Sequence, residues 1–94
     1  MDFKYTLSKE QIDLVANEMS EFANGGTQVQ IRTSDGKVYK EILISNCMWI
    51  VAIRGYKDLP FELDDIVEIF QTDDDIFNVT KGNWECWDEC FKKK

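Results

Sequence analysis

The 94-residue chain has no histidine, which removes the commonest general base and the commonest metal ligand. It has one proline, Pro60, and its 44% hydrophobic content is too high for disorder as the native state. The longest uninterrupted apolar run, CMWIVAI at 47–53, is far shorter than the roughly 20 residues that cross a bilayer. Three cysteines make an odd number, which fits poorly with a fully paired extracellular scaffold. The opening MDFKYTLSKE carries no apolar leader segment, so a reducing, cytoplasmic setting is expected. Basic residues are outnumbered 11 to 18, for a net charge of −7 and an isoelectric point near 4.4. Such a charge repels phosphate backbones and anionic lipid at long range. Between 58 and 75 no lysine or arginine appears, while eight carboxylates do.

What is present reads as one domain over 1–94. Ser8 and Gln11 form a capping-box pattern, with Leu7 and Ile12 as the matching hydrophobic staple. Ile12, Val15, Met19 and Phe22 recur at helical spacing, which predicts a helix over 8–24 stopped by Asn24-Gly25-Gly26. The period then changes to two: VQIRT, a turn at Ser34-Asp35-Gly36-Lys37, a returning strand over 38–45, and an apolar third strand in CMWIVAI. A short extended piece at 59–63 and a final strand at 67–71 complete five. Asp73-Asp74-Asp75 reads as a solvated break, and GNWECWDECFKKK as a short C-terminal helix capped by Asn83. The expected fold is α+β: an N-terminal helix, then a five-stranded antiparallel meander over 27–71 curled into a small barrel. An acidic loop and a Trp-rich segment follow over 73–94.

The order of helix, VQIRTSDGKVYKEILIS, MWIVAI and LPFELDDIVEI resembles the Sm-like and SH3-like small barrels. Leu59-Pro60-Phe61, then Asp64-Asp65-Ile66 and Ile69, are similar to the ending seen in the YolD-like family and, more distantly, in the Rho-inhibiting Rof proteins. The likeness covers 7–71. Gln30 and Arg32 stand where the YolD-like group tends to carry aromatics, and 73–94 has no counterpart. The resemblance implies a small adaptor or regulator and no catalyst.

The residues themselves offer little chemistry. Asp73, Asp74 and Asp75 are oxygen ligands of the kind Ca²⁺ or Mg²⁺ takes, but the EF-hand spacing is absent and an extended chain points them to alternate sides. Cys86 and Cys90 stand four apart; with Cys47 they fall short of the four ligands zinc takes, and C-x-x-x-C is not the C-x-x-C redox motif. Ser and Thr have no histidine to activate them. No catalytic residue, metal site or cofactor is therefore expected.

The candidate residues belong to a recognition surface: Asp58, Glu62, Asp64, Asp65, Glu68, Asp73, Asp74 and Asp75, with Trp84 and Trp87 in the tail. Tryptophan is enriched at binding hot spots, although tail tryptophans also serve to pack a segment over the fold. The main expectation is a non-catalytic protein-binding regulatory or adaptor module. A narrower alternative is an acidic inhibitor, of the kind phages and mobile elements encode against defence enzymes, that mimics nucleic acid on a basic partner. A second alternative, single-stranded nucleic-acid binding, is common for small barrels but is opposed by the charge. Strand edges leave room for homo-oligomers.

Overall fold

The structure, a computed structural model, describes residues 3–87. Helix α1, Lys9–Glu18, begins as its sequence dictates. The Ser8 hydroxyl accepts the Gln11 N–H at 3.2 Å and the Gln11 side chain accepts the Ser8 N–H at 2.9 Å. Val15 is buried, while Ile12 and Met19 are half-buried on the same stripe.

The helix does not run to residue 24. It ends at Glu18, and Met19 is already extended. Two competitors, one distant and one local, take the backbone groups beyond it. The Gln71 amide accepts the Ser20 N–H and donates to the Ser20 carbonyl, each at 2.9 Å. Ala23 to Gly26 then closes a tight turn, with Gly26 N–H to the Ala23 carbonyl at 2.9 Å. Gly25 holds φ +80°, and a Cβ there would come within 2.8 Å of Asn46 Oδ1, so the glycine makes the turn into a strand instead of capping a helix.

Four strands follow: β1 Gly26–Thr33, β2 Val38–Ser45, β3 Trp49–Ile53 and β4 Ile66–Phe70. Their order in the sheet is β3-β2-β1-β4, and every pairing is antiparallel. This is the Greek-key order, in which a fourth strand returns to lie beside the first. The expected five-stranded barrel is therefore corrected to a four-stranded antiparallel sheet. The 59–63 piece is not a strand; Pro60 has no N–H to give a ladder, and Leu63–Asp65 is a single 3-10 turn. The outer edge of β3 is taken by the N-terminal segment: Leu7 N–H reaches the Met48 carbonyl at 2.8 Å, and Ile50 N–H reaches that of Tyr5 at 3.0 Å.

Val15 and Leu7 pack against Val29, Ile31, Ile42, Ile44, Ile50, Ile53 and Ile69 as one core. Register shifts mark bulges, which bend strands and free backbone groups. In β3 the pairs Leu43↔Ala52 and Ile44↔Ile50 skip Val51, whose carbonyl accepts the Trp87 N–H at 2.9 Å. In β4 the pairs Arg32↔Glu68 and Thr33↔Ile66 skip Val67, which is 60% exposed.

After β4, Asp73–Ile76 forms one helical turn, α2. No C-terminal helix is seen up to Trp87: residues 81–87 have no regular structure, because their backbone is engaged sideways by Arg54, described below. The rest of that expected helix, with Cys90, Phe91 and the three terminal lysines, lies outside the described residues. Among the described residues no helix is long and apolar enough to cross a membrane.

Candidate recognition surface

The carboxylates of 58–75 fall into three groups. Asp58, Glu62, Asp64 and Asp65 lie on the connection from β3 to β4. The Asp58 carboxylate accepts the Tyr5 hydroxyl, and its Oδ1 accepts the Leu59 N–H at 2.8 Å. The phenol first, then the amide, holds its carboxyl pKa below the usual carboxylate range. Glu62 and Asp64 are exposed, and among the described residues neither is in an ion pair. Asp65 is half-buried, and its carbonyl accepts the Ser34 N–H at 2.9 Å.

These groups rim two adjoining clefts of about 320 and 440 Å³ that share Leu59, Phe61 and Glu62. The first cleft adds Tyr39, Asp35 and Asp65; the second adds Tyr5, Asp64 and Lys4. Tyr39 packs on Phe61 with ring centroids 4.9 Å apart and on Tyr56 at 6.0 Å. Asp35 belongs to the hairpin turn, where its Oδ1 accepts the Thr33 hydroxyl at 2.6 Å and the Lys37 N–H at 3.1 Å. Those two bonds, the Thr33 one first, hold its carboxyl pKa below the usual carboxylate range. Tyr39, Tyr56 and Phe61 thus form an aromatic cluster under an acidic rim.

Glu68 forms the second group by itself. It faces Arg32 across the β1–β4 ladder in an ion pair, and the Arg32 guanidinium also lies 5.5 Å from the Phe70 ring.

The third group is α2, which replaces the solvated break expected at Asp73-Asp74-Asp75. Asp73 and Asp74 are exposed, and Asp74 accepts from Asn78 Nδ2 at 3.2 Å. Asp75 is 2% exposed. Its Oδ1 accepts Gln28 Nε2 at 2.7 Å. Its Oδ2 accepts the Thr72 N–H at 2.8 Å, the Thr72 hydroxyl at 3.1 Å and Gln30 Nε2 at 3.2 Å. Four neutral donors satisfy this carboxylate, so it fixes α2 to β1 and is not available to a partner. Thr72-x-x-Asp75 is a variant of the capping box, a signal present in the sequence and passed over.

Trp84 and Trp87 are half-buried and hold the chain after α2 against the fold. Arg54 organises that segment. Its guanidinium donates to the carbonyls of Thr80 and Gly82 at 2.7 Å and of Asn83 at 3.1 Å. Trp84 stacks on it, 3.9 Å from ring centroid to guanidinium carbon, and also faces Phe22 at 6.4 Å. Nε lies 3.1 Å from Glu41, an ion pair without hydrogen-bond alignment. Trp87 meets Tyr5 edge-on at 5.7 Å, and its indole N–H donates to the Tyr56 carbonyl at 3.2 Å. Nothing in the local sequence around Arg54 announces this role, since every partner except Glu41 is more than 25 residues later.

Cys47 is half-buried, and burial first, then the charge of Glu21, pushes its thiol up. Among the described residues no group of three or more His, Cys, Asp or Glu side chains is arranged to hold a metal ion. No family model matches the chain, and no curated protein or solved structure does.

Proposed function

We propose that this chain is a non-catalytic protein-binding module whose working surface is the acidic connection 58–65 and the aromatic clefts beneath it. The observation that carries this reading is the placement of Glu62 and Asp64, exposed and outside any ion pair among the described residues, beside Phe61, Tyr39 and Leu59. Apolar ring faces next to carboxylates suit a partner that offers aliphatic stems ending in lysine or arginine. Asp75, Trp84 and Trp87 are occupied in holding the fold, so the surface is smaller than the run of acidic residues suggests. A cytoplasmic setting remains the one proposed, on the odd cysteine count. Calorimetric titration with a lysine-rich peptide tests the reading. Binding that weakens at least tenfold for Glu62→Lys/Asp64→Lys, and again with added salt, supports it. Equal affinity for the charge-reversed variant refutes it.

A narrower reading rests on the absence of lysine and arginine from 58–75: the surface occupies a nucleic-acid cleft on its partner. Competition between this chain and DNA or RNA for that partner separates the two, and simultaneous binding eliminates the narrower one.

A further inference from the structure

The two edges of the sheet are treated differently by the chain. The β3 edge is closed by Tyr5–Leu7 through two backbone hydrogen bonds and by Phe3, whose ring stacks on Trp49 at 3.9 Å. The β4 edge has no such cover. Strand β4 pairs in the sheet only with β1, and among the described residues its backbone otherwise makes only the local bond from the Ile66 N–H to the Leu63 carbonyl. A row of unpaired N–H and C=O groups is a template for another strand. Exposed Val67 stands on it.

Charge says which strand fits. Asp64 and Asp65 precede β4, Asp73 and Asp74 follow, and Glu68 within it is paired with Arg32 of β1; no lysine or arginine lies between Lys57 and Lys81. A second copy of this chain pairing antiparallel along the edge would bring the same carboxylates face to face, which is destabilising. An extended segment with lysine or arginine on alternate residues would meet them with the opposite sign. We propose that the free edge of β4 takes an extended basic segment of a partner protein as a fifth strand. The inference rests on the protein-binding reading above and adds the mode of binding: backbone pairing, with charge selecting the sequence.

The experiment uses the full chain and two synthetic peptides of about eight residues alternating lysine with threonine or valine, a length matched to a short strand. The second peptide is N-methylated at every residue, which removes its backbone donors and leaves its charge. Calorimetry at low salt gives the affinities, and amide hydrogen exchange reports the residues protected. The expected result is at least tenfold tighter binding of the unmethylated peptide, slowed exchange at 66–70, and weaker binding to Asp64→Lys. Equal affinity for both peptides, or protection elsewhere, overturns strand addition while leaving the acidic-surface reading in place. Failure of both peptides to bind overturns the two together.

Discussion

Replacing Asp75 by alanine is expected to be the most damaging single change among the acidic residues. The side chain is 2% exposed and accepts four hydrogen bonds, two from Gln28 and Gln30 on β1 and two from Thr72. Gln28 and Gln30 are themselves buried, so their amides cannot simply turn to water. Each buried donor left without a partner costs about 1–3 kcal/mol. With partial relaxation at Thr72, the sum is about 3–5 kcal/mol, a large fraction of the ~5–15 kcal/mol that holds a domain together. Asp75→Asn keeps the shape but places an NH₂ among donors, and is expected to lose about 1–3 kcal/mol. Urea unfolding followed by tryptophan fluorescence measures both. Asp73→Ala, on the exposed side of the same turn, serves as the control and is expected within about 0.5 kcal/mol of the parent. If Asp75→Ala also falls within that margin, the carboxylate is solvated and the account of α2 is wrong.

Three further outcomes are expected. Arg54→Ala removes three bonds to carbonyls and the Trp84 stack, so it should cost about 1–3 kcal/mol and expose the chain after residue 80 to protease; Arg54→Lys, unable to fork across three acceptors, should recover less than half. Thr27→Val should be neutral or stabilising by up to about 1 kcal/mol, since the Thr27 hydroxyl is buried without a hydrogen-bond partner in the protein; a clear loss in thermal unfolding would contradict this. The lowered pKa of Asp58 means its bond from Tyr5 supports the fold fully above the unfolded-state value and is lost as pH falls through the folded one. Tyr5→Phe should therefore move the Asp58 carboxyl titration, followed by carbon NMR, upward; an unmoved titration would show that the phenol is not the cause.

The parts of the fold set by local physics were legible. The Ser8–Gln11 box, the Asp35-Gly36 turn and the period-two strands appear where their residues place them. What escaped depends on contacts far apart in sequence. Helix α1 stops at Glu18 because Gln71, 51 positions later, takes the Ser20 backbone. The sheet is not a meander because β4 pairs with β1, a choice that no periodicity within 66–70 encodes. The acidic run shows both sides of this. Asp64 and Glu62 are surface groups, as their charge suggests, whereas Asp75 is buried because Gln28 and Gln30 point two amides at it. Those glutamines were visible only as the polar half of an alternating strand. Likewise the sequence allows Trp84 and Trp87 to pack over the fold, but the groups they pack on, Arg54 and Tyr5, are set by contacts distant in sequence.

The central claim is that the acidic stretch divides into an exposed binding part and a buried architectural part. Mapping the amide shifts of the full chain during titration with the lysine-rich peptide tests it most directly. The account predicts changes concentrated at 58–68, with Gln28, Gln30 and Asp75 unmoved. Changes centred on Asp75, Trp84 and Trp87, with 58–68 silent, would contradict it.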